Sequence, residues 1–329
     1  MFGTPICSGR TRRRIWGCNS AVFCFGGWRS DTKQPIGRGI CVLWEGNVDE
    51  KQLDPWTGTS EEIEHERKIF DGIAHGLWPN VLQLFTWKDY RPKPFGSGVL
   101  VRNGARTYIF SAAHVLAEFK NSDIWTIDKG DGVLLRLPPA AGGRLTGQPD
   151  MGNHEHDKID AGVLVLPPNS PELSVRAINL SEIRASENNR ASNCDAKRFM
   201  LLGYPANRTE VDSPKKEVRS EQWPLVYTEV EEKVYAKAGY DPRTHLLLKW
   251  RNQWKSPEGL LRRARNLAGA SGGAIWCFNP KEPSNPPKLV ATVTELGEKP
   301  GGKILVGTRI EVHLGLVSVL ELERDESAK

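Results

Sequence analysis

The sequence predicts a mainly β fold, and three observations support this. From about residue 80, short runs rich in β-branched and aromatic residues recur, among them "NVLQLFTW", "RTYIFSAAHV", "AGVLVLP", "LVYTEVEEKVYAKA" and "KILVGTRIEV". Clusters of turn-forming residues separate these runs, as expected for strands joined by short connections. Helical spacing of apolar residues is confined to one segment before the runs and one after them. The pattern favours an all-β sandwich or pair of barrels over alternating strands and helices.

The part before the runs divides in two. Residues 1–58 contain many Gly and Pro residues and no sustained periodicity, so a low-order extension is expected, with room for one short strand at "GICVLW". Residues 59–79 predict an amphipathic helix. Thr59 and Glu62 have the spacing of a capping box. Apolar residues then recur at helical intervals, at Ile63, Phe70, Ile73, Ala74 and Leu77.

Composition excludes several classes of protein. The chain has 329 residues and a formal net charge of +5, which indicates no particular polyanionic partner. No apolar run reaches the length of a membrane span, and none is predicted. The arginines of "TRRRIWGCNSAVFCFGGW" partly resemble a twin-arginine export signal, but no apolar core or cleavage site follows. A cytoplasmic location is therefore favoured, and a secreted or periplasmic one stays open.

The cysteines indicate neither a metal site nor a disulfide-rich protein. Four of the six lie in the first 41 residues, and no C-x-x-C pair exists. Cys194 and Cys277 could be bridged or could both be reduced. No cofactor is predicted.

Three separate motifs supply the groups of a hydrolytic triad. Ser271 stands in "GASGG", where glycines permit a sharp turn and leave backbone N–H groups for a developing oxyanion. A serine hydroxyl needs a base to become a nucleophile. His114, after the small residues of "SAAH", can serve as that base. Asp160, at the start of the apolar run "AGVLVLP", can orient the imidazole, and Asp157 is a competing candidate.

The order His114, Asp160, Ser271, with its A-A-H, D-x-x-V-L and G-x-S-G-G contexts, resembles the chymotrypsin/trypsin-like serine peptidases, particularly the bacterial trypsin-like domains. "GSGVLV" before the histidine and "LLGYP" before the serine also fit. The resemblance covers residues 80–320. It implies two six-stranded antiparallel barrels, one at about 80–190 and one at about 195–312, inside a peptidase domain 80–329 that ends in a helix at about 313–325.

The resemblance also implies roles for individual residues. Ser271 is the nucleophile, His114 the general base and acid, and Asp160 the orienting group, with the N–H groups of Gly269 and Ser271 as oxyanion donors. Animal digestive members have an aspartate before the nucleophile, whereas this chain has Ala270, so activation by an ion pair with a new N-terminus is excluded.

The substrate pocket is less well specified. The resemblance places Arg265 at its base and the segment Thr294, Glu295 and Leu296 along the cleft. An arginine there would favour an acidic residue before the scissile bond, but a solvated basic loop is the favoured interpretation of Arg262, Arg263 and Arg265.

Two other segments invite different functions. "HEHD", residues 154–157, could hold a metal, but nothing completes a ligand set, so a solvated loop and no metal are expected. The tryptophans and basic residues of 249–265 resemble nucleic-acid-binding mixtures, but a strand followed by a charged loop is favoured, and no nucleic acid is expected.

The predicted function is a serine endopeptidase acting on a protein or peptide. The alternatives are a catalytically silent trypsin-like domain that binds a protein through its cleft and N-terminal helix, and an esterase or nucleic-acid-associated protein on the same scaffold. The sequence leaves the oligomeric state open.

Overall fold

A computed structural model describes residues 59–120, 122–127, 132–147, 157–168, 170–188, 198–212, 217–220, 224–250, 253–255, 261–263, 267–299 and 302–327. All of them belong to one compact unit, Val48–Lys329. The predicted extension 1–58 lies outside the described residues, as do Cys194, Arg265 and both histidines of "HEHD". Within the described ranges, no helix combines the length and apolar character needed to cross a membrane.

The first element is helix α1 (Ser60–Leu77), and it begins at the predicted capping box. The Thr59 hydroxyl accepts the amide of Glu62, and the Glu62 carboxylate accepts the amide of Thr59 at 2.7 Å. Two of the N–H groups that a helix start leaves unpaired are thereby satisfied. Phe70 and Ala74 lie on the buried face.

The first sheet follows and contains eight strands: β1 (Val81–Lys88), β2 (Arg91–Asn103), β3 (Arg106–Ser111), β4 (Trp125–Ile127), β5 (Leu134–Arg136), β6 (Gly142–Leu145), β7 (Gly162–Leu166) and β8 (Ile178–Asn179). Their order is β5-β4-β1-β2-β3-β7-β6, and β8 pairs with β2. All pairings are antiparallel except that of β8, which is parallel to β2.

The second sheet has six strands in the order β12-β9-β16-β17-β18-β13. They are β9 (Arg198–Leu202), β12 (Leu225–Tyr227), β13 (His245–Lys249), β16 (Ala274–Phe278), β17 (Lys288–Lys299) and β18 (Gly302–Arg309). An antiparallel bridge joins Glu229, just after β12, to Leu248 in β13. Because β12 and β13 are the two ends of the order, this bridge closes the sheet into a barrel.

Two hairpins, five α-helices and three short 3-10 helices (Trp78–Asn80, Glu118–Lys120 and Ala206–Arg208) make up the remaining regular elements of the described structure. The hairpins pair β10 (Thr209–Asp212) with β11 (Glu217–Ser220) and β14 (Gln253–Lys255) with β15 (Leu261–Arg263). The helices are α2 (Ala113–Ala117), α3 (Pro171–Ser174), α4 (Leu180–Asn188), α5 (Glu232–Ala238) and α6 (Ile310–Ser327).

The strands bury both faces, which explains their continuous apolar runs. In β2, Leu100 faces a core inside the first sheet, whereas Val99 and Val101 face a second core shared with the other sheet. In β9, Leu201 faces the interior of the second sheet and its neighbours face the shared core. This alternation follows from the two-residue period of a strand.

Both long helices contribute to the shared core. Phe70 of α1 packs on Phe278 with ring centroids 6.0 Å apart. Leu314 and Val317 of α6 are buried in the same cluster. The N-terminal helix is therefore a packed part of the fold, and its apolar face is covered by the protein itself.

The predicted class, mainly antiparallel sheets with a helix before and after them, is confirmed, but some details differ. The first sheet has eight strands where six were predicted. The run 225–238 was predicted as strand, yet only Leu225–Tyr227 is strand and α5 follows. Its Lys, Glu and Ala residues are good helix formers, and Gly239 ends the helix at φ 75°.

Candidate active site

His114 and Asp160 are in direct contact. The imidazole Nδ1 lies 2.7 Å from Oδ2 of Asp160. A carboxylate can only accept, so the ring donates through Nδ1 and leaves Nε2 free of that bond. The other carboxylate oxygen, Oδ1, accepts the backbone amide of His114 at 3.0 Å. Ring and backbone of one residue are thus held by one carboxylate.

The surroundings make this pair suitable for proton transfer. The His114 side chain is 44% exposed, whereas that of Asp160 is 13% exposed. The imidazole is accessible to a substrate, and the acid behind it is shielded from solvent. His114 lies in the first turn of the short helix α2, which follows the end of β3 at Ser111.

Asp160 has an unusual backbone. Its φ is 47°, in the left-handed region that few residues other than glycine adopt. The Asp160 carbonyl accepts the amide of Ala113 at 3.2 Å. This local turn directs the carbonyl and the carboxylate of Asp160 toward the same short segment.

Asp157, the competing candidate, has a different environment. Its carboxylate accepts the Thr146 hydroxyl at 2.6 Å and the Ile159 amide at 3.1 Å. Both bonds stabilise the loop before Asp160. No contact between Asp157 and His114 is found in the described part of the chain.

Ser271 lies on a tight turn before β16, and only some of the backbone amides of this turn are hydrogen-bonded to described residues. The amides of Ala270, Gly272 and Gly273 donate to Leu267, Val293 and Ala270 carbonyls at 2.8, 2.7 and 2.8 Å. The amides of Gly269 and Ser271 make no hydrogen bond to any described residue. Among the residues that the structure describes, these two N–H groups therefore have no acceptor.

The Ser271 turn packs against β2 and against the end of β3, the strand that leads to His114. The Ser271 carbonyl accepts the amide of Ser97 at 2.7 Å. A Cβ added to Gly272 would lie 1.9 Å from Oγ of Ser111, three residues before His114. Only glycine fits there, and its φ of 81° also favours glycine. The Ser271 hydroxyl itself donates to the Thr294 carbonyl at 3.4 Å and not to His114.

The predicted cleft segment forms one edge of β17. Pairing of β17 with β16 ends at Thr292, whereas pairing with β18 continues to Lys299. From Thr294 onward, the second edge has no strand partner in the residues that the structure describes. An extended peptide could add to such an edge.

The Glu295 carboxylate in this segment already has two side-chain partners. It forms an ion pair with Lys299 at 2.7 Å and accepts a hydrogen bond from the Tyr240 hydroxyl. Burial alone would raise the pKa of Glu295, but these two partners outweigh it and the pKa lies below its ordinary value. The carboxylate is charged and neutralised by Lys299, so it is not an unpaired acid in the cleft.

Three polar residues that lie next to the predicted site were not predicted from the sequence. Ser97, Ser111 and His313 are fully buried and polar. His313 in α6 lies 3.1 Å from the carbonyl of Ser111 through Nε2. The available signal was the type of residue, because polar side chains inside apolar runs need a partner. The sequence gives no sign of which partner each one finds.

The tryptophan and basic residues suggested as a nucleic-acid surface are partly structural. Trp250 is 6% exposed and stacks on Tyr227 with centroids 5.9 Å apart. An indole packed in this way cannot stack on a base. Arg262 lies in β15 and Trp254 opposite it in β14.

The likeness of this chain to known proteins lies in its structure and not in its sequence. No protein-family model matches the chain. No curated protein matches its sequence. Among solved structures it is similar to neuropsin, a serine protease expressed in the limbic system of mouse brain, at 16% identity and a TM-score of 0.47. That match covers 75% of this chain and 96% of neuropsin. At this level of similarity activity does not follow, and function has to be inferred from the side chains.

Proposed function

We propose that the chain is a serine endopeptidase that cleaves peptide bonds through an acyl-enzyme on Ser271. The observation that supports this most strongly is the 2.7 Å contact of His114 with Asp160 beside the Ser271 turn. A largely shielded carboxylate on Nδ1 fixes the imidazole tautomer that can accept a proton at Nε2.

The proposed first step is acylation. Oγ of Ser271 attacks the carbonyl carbon of the scissile peptide and its proton passes to Nε2 of His114. The carbonyl oxygen becomes an anion and accepts hydrogen bonds from the amides of Gly269 and Ser271, which have no other acceptor among the described residues. Asp160 stabilises the imidazolium. When the C–N bond breaks, His114 returns the proton to the leaving amine.

Deacylation repeats these roles with water. His114 takes a proton from the water as its oxygen attacks the ester carbonyl, and Ser271 leaves with that proton. The residues named can carry out this step without a metal or a cofactor. Acylation does require the Ser271 hydroxyl to leave the Thr294 carbonyl and donate to His114. Catalytic hydrogen bonds are often long or poorly aligned before substrate binds.

The peptide would lie along the open edge of β17. Its backbone would pair with the segment Thr294, Glu295 and Leu296, which places the scissile bond beside Ser271 because the Thr294 carbonyl lies next to that hydroxyl. Arg265 remains a proposed pocket residue from the resemblance alone.

A catalytically silent peptide-binding domain is the second candidate. It is favoured by one observation, the Ser271 hydroxyl that donates to Thr294 rather than to His114. The same open strand edge would then bind a peptide without cleaving it.

Labelling with a fluorophosphonate probe separates the two. The wild-type protein should label at Ser271, while His114→Ala and Ser271→Ala should not. His75→Ala changes an exposed histidine of α1 and should label as the wild type does. Folded wild-type protein that stays unlabelled would contradict the enzymatic proposal and support the silent domain.

A further inference from the structure

We infer that Ser97 is a positioning residue that holds the Ser271 turn in the orientation required for oxyanion binding. This inference rests on the proposed function. Ser97 lies in β2 of the first sheet and is fully buried. Its contacts reach the turn that precedes β16 of the second sheet.

Every polar group of Ser97 that faces the turn is used. Its amide donates to the Ser271 carbonyl at 2.7 Å. Its hydroxyl donates to the Gly269 carbonyl at 2.9 Å and accepts the Tyr204 amide at 3.2 Å. The Ser97 carbonyl in turn accepts the Ser111 hydroxyl at 2.7 Å.

Three consecutive peptide groups join residues 268 to 271. The Ser97 hydroxyl binds the carbonyl of the middle one, which is that of Gly269. The Ala268 carbonyl accepts the Ala206 amide at 2.7 Å, and the Ala270 carbonyl accepts the Gly273 amide at 2.8 Å. Between them, the Gly269 carbonyl is bound by a side chain, that of Ser97. Both outer peptide groups are thus held by the second-sheet part of the chain. The middle one is held at its carbonyl by Ser97 of the first sheet and at its N–H by the Leu267 carbonyl.

This placement fixes the two unused donors relative to each other. A trans peptide keeps its N–H opposite its carbonyl. The outer two peptide groups supply the amides of Gly269 and Ser271, and the middle one is the link between them. Rotation of the middle peptide would change the angle between those amides. The Ser97 hydroxyl opposes that rotation at the carbonyl end, and the Leu267 carbonyl opposes it at the N–H end.

Loss of the hydroxyl would leave the partly buried Gly269 carbonyl and the buried Tyr204 amide without their partner. Such groups are costly in an interior, so the turn is expected to reorient toward other partners. The contact of His114 with Asp160 involves none of these atoms and should persist. The effect should therefore fall on oxyanion stabilisation and not on the base.

The test compares wild type with Ser97→Ala and Ser97→Cys. Cysteine keeps the volume but is a weak hydrogen-bond donor, so it serves if the alanine variant folds poorly. Ser318→Ala is the matched control, because it removes a serine hydroxyl bond to a backbone carbonyl in α6. Acylation by p-nitrophenyl acetate and hydrogen exchange of residues 267–273 are measured for each protein.

We expect acylation to slow at least about tenfold in both Ser97 variants, with the pH midpoint of the reaction unchanged. Exchange of the turn amides should be faster in both, and Ser318→Ala should match wild type in both measurements. Acylation within twofold of wild type together with unchanged exchange would overturn the inference. If wild type does not acylate, the proposed function fails, and the exchange comparison alone decides whether Ser97 positions the turn.

Discussion

The Nδ1 atom of His114 and Oδ2 of Asp160 lie 2.7 Å apart although 46 residues separate them in the chain. The same carboxylate also accepts the backbone amide of His114. This double contact makes Asp160 a more specific partner than an ion pair at the surface, since it sets both the position and the tautomer of the ring.

Asp160→Asn should lower kcat by about 10⁴-fold, because an amide can bind the wrong imidazole tautomer and cannot stabilise the imidazolium. The magnitude is that of the aspartate substitution in the serine-protease triad. Steady-state turnover of p-nitrophenyl acetate or of a peptide substrate measures kcat, and the rate of fluorophosphonate labelling measures the reactivity of Ser271 separately. Asp157→Asn is the matched change and should have a much smaller effect, since Asp157 binds Thr146 and Ile159. Equal losses in the two variants would contradict the assignment of Asp160.

Gly272→Ala should destabilise the protein by about 3 kcal/mol and abolish labelling, because the added methyl would overlap Ser111 and the Ser97 carbonyl. Urea denaturation provides the free energy of unfolding. Gly315→Ala is the control. Nothing lies within 4 Å of a Cβ at Gly315 on the exposed side of α6, so this substitution should stabilise the helix by about 0.5 to 1 kcal/mol.

Phe70→Ala should lower the free energy of unfolding by about 3 kcal/mol, because it removes a 7% exposed ring from the core shared by the two sheets. Lys68→Ala, on the exposed side of α1 with an ion pair of 3.6 Å to Glu64, should change it by less than about 1 kcal/mol. The measurement is urea denaturation of both variants. If both variants lowered the free energy of unfolding by less than about 1 kcal/mol, α1 would not contribute to the stability of the fold.

Stability should decrease as the pH falls below about 6.5, and His313 should account for part of the decrease. Burial lowers the pKa of His313 to about 4, against smaller opposing effects of the Ser111 and Arg309 carbonyls. Between pH 6.5 and 4 the unfolded chain binds the proton and the folded chain does not, so acid favours unfolding.

The loss attributable to His313 approaches about 3 kcal/mol at pH 4, at 1.36 kcal/mol per unit of pKa difference. Unfolding free energies of wild type and His313→Gln at pH 7 and pH 4.5 test this, since glutamine can still donate to Ser111 and does not titrate. An unchanged pH dependence in the variant would show that other groups cause the acid instability.

Most of the features that were predicted correctly depend on residues close together in the sequence. The Thr59 capping box depends only on residues three apart, and runs such as those of β2 and β9 are strongly apolar. The contact of His114 with Asp160 followed from family-like motifs. Helix α5 was missed because Val and Tyr within 225–238 suggested strand, whereas Gly239 and the surrounding helix formers decided the outcome.

The role of Ser97 could not be obtained in this way. Its partners are Gly269, Ser271 and Tyr204, more than a hundred residues along the chain, and nothing in "GSGVLV" indicates them. The orientation of the Ser271 hydroxyl toward Thr294 is likewise set by the pairing of β16 with β17 and not by the turn sequence.

The hydrogen bond between His313 and the Ser111 carbonyl joins positions 202 residues apart. A chain leaving the ribosome exposes the segment of His114 long before α6 is translated. The groups around Ser271 therefore cannot acquire their full set of supporting contacts before α6 has been translated. Assembly of the site is in this sense a late event, coupled to emergence of a helix that packs in the shared core.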